Sequence, residues 1–185
     1  MVALALTALV TAALGGFGRA QSAQKHPQSG AGARVDTGAL ALTPLRAWLT
    51  DAQPGRPPDR SGQRYLVLQL RAENLTESGI AAIAYLQQDL VWLPDGRSGE
   101  RRADVLLRAD DHGFDVTLQP RLPTTLDLVW KLRAGERLAP GTAWGTYRRD
   151  YVARTYLTGE TAWIQQQPDT RLLLTVDDRT GTATP

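Results

Sequence analysis

The run "TTLDLVWKL" at residues 124–132 alternates strictly, with Leu126, Leu128, Trp130 and Leu132 on one side and Thr125, Asp127, Val129 and Lys131 on the other. Successive side chains of an extended chain point to opposite faces, so a period of two marks a strand with one buried face. The pattern recurs along the chain. "RYLVLQLRAEN" (64–74) sets Leu66, Leu68, Leu70 and Ala72 against Tyr65, Gln69 and Arg71, and "RLLLTVD" (171–177) turns Leu172, Leu174 and Val176 one way. "DLVWL" (89–93) runs into Pro94-Asp95-Gly96, where the glycine suits a turn that needs positive φ. Residues 39–49, 103–108, 115–119 and 142–153 read as further strands. Turn signals recur about every ten to fifteen residues and no long stripe of helical period appears. The expectation is an all-β chain of about seven to eight short strands in an antiparallel β-sandwich, with a small barrel as the competing closure. The one helical candidate, "ESGIAAIAYLQQ" (77–88), could place Ile80, Ile83 and Ala84 on a face; its length and its glycine make it a loop or a single turn.

Composition narrows the function classes. The chain of 185 residues is long enough to bury a core without covalent staples. It has no cysteine, which excludes disulfides, thiolate catalysis and Cys-ligated zinc. The formal charge of +2 is unevenly spread, because Arg19, Lys25 and Arg34 stand among residues 1–35 with no acid beside them. Residues 36–185 carry 18 Lys/Arg against 19 Asp/Glu, so a basic footprint for nucleic acid is missing. Nineteen arginines against two lysines point to a high-GC bacterial genome.

Val2 to Phe17, "VALALTALVTAALGGF", is apolar or small throughout and uncharged. As a helix it would span about 24 Å, short of the ~30 Å hydrocarbon core, so it fits a secretory segment or a truncated membrane span. Residues 1–18 are read as a transmembrane anchor or signal segment and residues 19–35 as a flexible linker, since "RAQSAQKHPQSGAGARV" holds almost no large apolar side chain. Residues 36–178 form the sandwich, 53–63 a Pro/Gly-rich loop within it, and 179–185 a disordered tail. This organisation implies a single-pass protein of the cell membrane with an extracytoplasmic domain, or a secreted one if the first segment is cleaved.

A strand ending in asparagine ("LVLQLRAEN"), a strand with a "DG" turn ("LVWLPDG") and "LQPRLPTTLDLVWKL", followed by "YVARTYLTGETAW", resemble the telokin-like, immunoglobulin-fold domain of unknown function found in bacterial membrane-anchored envelope proteins. The resemblance covers about residues 36–178 and implies an immunoglobulin-like fold and a membrane tether. It supplies no catalytic residues, and this chain lacks the cysteine of the lipid-anchored members. Asn74 ends its strand where its side chain can close an Asx-turn; that reading outweighs Asn74-Leu75-Thr76 as a glycosylation sequon.

Chemistry-bearing residues are sparse. "ADDHGFD" (109–115) gathers Asp110, Asp111, His112 and Asp115, a mixed oxygen and nitrogen set too small for a calcium or zinc site. With His26 in the linker and Ser61, Ser78 and Ser98 in turn-like contexts, no nucleophilic triad can be assembled, and the stretch reads as an inter-strand turn. Trp92 and Trp130 belong to the core. Trp48, Trp144 and Trp163 lie near strand ends, beside Tyr147 and Tyr151, and could share a binding platform. Arg148, Arg149 and Arg154 read as solvated strand-face cations, with acidic lipid or a partner as the alternative they could face. The expectation is therefore a non-enzymatic extracytoplasmic module without catalytic, cofactor or metal residues. Its partner would be an envelope protein such as a transporter or secretion component. The alternative is a metal, carbohydrate or peptide binder using the loop 109–115 or the aromatic end. Trp144, Tyr147, Tyr151, Trp163 and His112 are the candidate surface.

Overall fold

Alternating apolar positions assemble into two facing sheets in the computed structural model, which describes residues 26–58, 62–94, 99–138, 141–153 and 161–181. The first sheet runs in the order β13 (Val176–Asp178), β3 (Leu40–Thr50), β4 (Tyr65–Asn74), β10 (Thr124–Lys131), β8 (Val105–Arg108), with β2 (Val35–Asp36) paired to β3. The second runs β1 (Gln28–Ser29), β12 (Ala162–Leu174), β11 (Thr142–Val152), β6 (Leu90–Leu93), β7 (Arg101–Arg102). A short ribbon of β5 (Ile80–Ala81) and β9 (Thr117–Leu118) closes one side. Only β1 on β12 and β13 on β3 pair parallel among the described strands. This is the expected β-sandwich, and the competing barrel closure is not seen among the described strands.

The inner faces carry the residues that the alternation singles out. Leu66, Leu68, Leu70 and Ala72 of β4 and Leu126, Leu128 and Trp130 of β10 are all fully buried. Across the gap they meet Leu90, Trp92, Trp144 and Leu172. Trp130 and Trp144 touch through tilted rings, centroids 6.3 Å apart, and so join the two sheets near the middle. Large aromatic area buried against aliphatic neighbours dominates the stability of such a core.

Three departures from the sequence expectation matter. First, residues 26–35 are not a free linker: β1 pairs with Arg171 and Leu172, Val35 is buried, and Arg34 bridges to Glu73 at 2.6 Å. Backbone pairing to an otherwise open edge compensates for the lack of apolar side chains in this stretch. The expected anchor and the first part of the linker lie outside the described residues, as do residues 182–185. Among the described residues no helix is long and apolar enough to cross a membrane.

Second, a true helix, α1 (Ala82–Asp89), starts within residues 77–88 and is seated on Ala82 and Leu86 at i, i+4 spacing. Ile83 and Ala84, expected on the buried face, are exposed. Third, Arg149 is not a solvated cation. It is 8% exposed and its Nε donates to the Asp89 carboxylate at 2.5 Å, while its Nη2 reaches Gln88 Oε1 at 3.0 Å. The guanidinium also lies 4.3 Å from the Tyr85 ring centroid, so one buried cation ties α1 to β11. Burial raises the Asp89 pKa above the usual carboxylate value, against the opposing hydrogen bond and charge of Arg149.

A β-bulge in β3 determines what the first sheet shows to the outside. Register with β4 shifts between Pro44 and Arg46, leaving Leu45 as the extra residue. Upstream of it Leu40 and Leu42 face the core; downstream, Ala47 and Leu49 do. Strict alternation from Leu40 would have sent Arg46 and Trp48 inward. The bulge reverses the parity and places both on the outer face.

Candidate functional site

The outer face of the first sheet is built in rows, read across its strands. Arg46 stands opposite Gln69, Gln69 opposite Asp127, and Asp127 opposite Leu107. One row further, Trp48, Val67, Val129 and Val105 are in register. Trp48, Val67, Leu107 and Val129 pack into a second, smaller apolar cluster, separate from the main core. Beside that apolar floor runs a hydrogen-bonded polar line. Arg46 Nε donates to Gln69 Oε1 at 3.0 Å, and Gln69 Nε2 donates to Asp127 Oδ1 at 2.9 Å.

Two loops cover this face. Residues 51–58 follow β3 and bring Gln53, Pro54, Gly55 and Arg56 over it; residues 109–113 follow β8 and bring His112. The loops meet at Gly55, whose φ is 74° and where a Cβ would lie 2.7 Å from the Cβ of His112. Only glycine allows both the left-handed backbone and this close approach. Between the loops and the sheet lies a groove of about 990 Å³, lined by residues that include Arg46, Trp48, Gln53, Gln69, His112, Asp127 and Arg179.

The "ADDHGFD" stretch is a turn with a purpose. His112 N–H donates to Arg108 O at 3.0 Å and Arg108 N–H to Gly113 O at 2.9 Å, which closes the loop back on β8. Asp111 accepts from the Gly113 N–H at 2.9 Å and is clamped by the Arg108 guanidinium, which also pairs with Asp110 at 3.1 Å. The Arg108 hydrogen bond, followed by that of Gly113, brings the Asp111 pKa down to about 2. Asp110 and Asp111 are thus committed to shaping the loop. Their work leaves His112 at φ 56°, a left-handed conformation uncommon outside glycine, with its side chain against Gly55 at the groove.

The groove holds unusual polar groups. Asp127 is 3% exposed, and burial raises its pKa above the ordinary carboxylate value; Gln69, His112 and Arg46 act in the opposite direction. Gln53 Nε2 and His112 Nδ1 are both buried without a hydrogen-bond partner among the described residues. They are two of six such atoms among the described residues, the others belonging to Asp89, Trp92, Trp144 and Arg171, and both stand on residues that line the groove. Trp48 is flanked by cations, with Arg46 Cζ 5.1 Å and Arg179 Cζ 5.0 Å from its ring centroid.

The five residues singled out from sequence do not come together. Trp144 is fully buried in the core, because its strand turns it toward Trp130, and it contributes no surface. Tyr147 donates its hydroxyl to Glu100 at 2.6 Å; burial, and then that hydrogen bond, push its phenol up to about 12. Tyr151 and Trp163 face each other across β11 and β12 with ring centroids 5.4 Å apart, and Tyr151 is 57% exposed. His112 sits on the outside of the other sheet. Asp127, Gln53, Gln69, Arg46 and Arg179 are the residues that sequence reading missed. Among the described residues no three metal-binding side chains converge. Asn74 closes its Asx-turn on the Thr76 N–H at 2.9 Å, while its Nδ2 donates to Ser78 O and Leu118 O. With Asn74 fully buried, its amide is not available for glycosylation in the folded domain.

No family model matches this sequence, and no curated protein does. Among solved structures the chain is similar to an uncharacterized β-sandwich protein from Clostridium difficile 630, with a TM-score of 0.52 and 8% identity over 80% of this chain and 99% of that one. A weaker likeness, with a TM-score of 0.39 and 6% identity over 79% of this chain and 97% of the other, is to a "putative lipoprotein" from Staphylococcus aureus. The first of these shows the β-sandwich fold and nothing beyond it.

Proposed function

We propose that this chain is a non-enzymatic binding module of the bacterial cell envelope, an immunoglobulin-like β-sandwich whose ligand occupies the groove between loops 51–58 and 109–113. The observation that carries the reading is the pair of unpartnered buried atoms, Gln53 Nε2 and His112 Nδ1, lining one groove beside the buried Asp127. A bound hydrogen-bonding group would give these two atoms the partners that buried polar groups usually have. The groove volume is also in the range of small-molecule sites. The envelope setting rests on the apolar run Val2–Phe17 and the polar stretch 19–25 after it, which support a membrane tether.

A panel of sugars, organic acids, short peptides and divalent metals, screened by thermal shift, tests the binding role. At least one class should raise the melting temperature of the full chain and fail to do so in a His112→Asn variant. No shift from any class would end the reading. A second role is favoured by the pair of exposed Tyr151 and half-buried Trp163, an aromatic surface suited to a protein partner such as a transporter or secretion component. Photo-crosslinking from position 151 in membranes should then capture one defined protein.

A further inference from the structure

We infer that the groove takes a small oxyanion, a carboxylate or a phosphate ester carried on a compact body; this rests on the groove being the binding site. Charge is the first argument. Arg46, Arg56 and Arg179 line it, and Asp127 is the one carboxylate among its described lining residues. No carboxylate forms an ion pair with Arg46 or Arg56 among the described residues, and the acid that feels the charge of Arg46 is the buried Asp127. Arg179 pairs with Asp177 at 3.5 Å, and Arg46 and Arg56 beside it leave the groove lining with more positive than negative charge; guanidinium geometry matches carboxylate and phosphate oxygens.

Positioning is the second argument. The Trp48 ring is a fixed floor for two of the cations, each about 5 Å from its centroid. Trp48 is only 8% exposed, so the indole serves to hold the arginines and does not offer a free stacking face. Gln69 takes the Arg46 Nε, which orients that guanidinium with its remaining nitrogens still available to a ligand. Hydrogen bonding is the third argument. The Gln53 amide nitrogen can only donate, and an oxyanion supplies the acceptor that it lacks. His112 with its proton on Nδ1 is a second donor to the same group. A cationic ligand would meet three arginines, and an apolar one would leave the Gln53 donor buried and unsatisfied.

Isothermal titration of the full chain at low salt tests this, with citrate, glucuronate, glucose 6-phosphate, inorganic phosphate, glucose and choline as probes. The expectation is saturable binding of at least one anionic probe, at least about tenfold tighter than glucose, with none for choline. Arg46→Gln and Arg179→Gln should each loosen it about tenfold, and added salt should weaken it. Asp127→Asn should tighten it, since the one opposing charge is removed while the Gln69 contact can persist. Tightening by that variant is a readout that loss of structure cannot imitate, and circular dichroism shows which variants remain folded. The citrate and glucuronate arms separate a carboxylate ligand from the phosphate arms. Glucose or choline binding as tightly as the anions would overturn the oxyanion inference and leave the groove as a binding site. Failure of every anion overturns it as well, and failure of the broad thermal-shift panel too would remove the groove reading itself.

Discussion

The two faces of the first sheet come from the same three strands and differ in almost every physical respect. Inward, β4 and β10 present leucines, an alanine and a tryptophan, all fully buried. Outward, the intervening positions present Gln69, Asp127, Val67 and Val129, joined by Arg46 and Trp48 from β3. The inner face is closed by another sheet, which excludes water over its whole area. The outer face is closed by two loops, and loops cover a surface less completely than a packed layer does. One face is therefore suited to stability. The other keeps a buried carboxylate, Asp127, in a hydrogen-bonded line with Gln69 and Arg46.

Breaking the inner face should have the largest effect. Trp130→Ala removes the ring that meets Trp144 and the indole donor to Arg101 O, and is expected to cost about 3–5 kcal/mol in urea unfolding. A loss below about 1 kcal/mol would mean that the core is not where stability resides. Gly55→Ala comes next. It forces a side chain into left-handed backbone and against His112, for an expected cost of about 1–2 kcal/mol together with loss of ligand binding.

Asp127→Asn sharpens the contrast through pH. The folded carboxyl has a pKa above its unfolded value of 3.8, so its stabilising contribution is complete below that pH and is lost as pH rises through the folded pKa. Unfolding free energy of the asparagine variant relative to the wild type should thus increase from about pH 4 upward and then level off. A difference that is flat or decreases with pH would contradict a desolvated Asp127. The smallest stability change is expected for His112→Asn, within about 0.5 kcal/mol, because asparagine tolerates the left-handed backbone that His112 occupies. Binding should nevertheless fall, and that separation of affinity from stability distinguishes the outer face from the inner one.

The inner face was legible in the sequence because it is local: "LVLQL" and "LDLVW" state their own parity. Asn74 was legible for the same reason, since its turn lies within two residues. The outer face was not. Val67, Val129 and Trp48 look like scattered apolar residues until β3, β4 and β10 are set side by side, and the bulge at Leu45 inverts the parity that would have hidden Trp48 in the core. His112 drew attention as part of an acidic cluster, yet its groove neighbours Gln53, Arg46 and Asp127 come from other segments of the chain. Trp144 shows the reverse error, a tryptophan near a strand end that lies in the middle of the sandwich.

The most direct measurement uses the five tryptophans, whose indole N–H resonances report on separate places in the fold. In a titration of the full chain with the ligand that binds it, followed by proton–nitrogen correlation, the Trp48 indole should shift progressively. Trp92, Trp130 and Trp144, buried between the sheets, should stay fixed, as should Trp163 at the far end of β11 and β12. Movement of Trp163 with Trp48 unchanged would place binding at the aromatic end and contradict the groove.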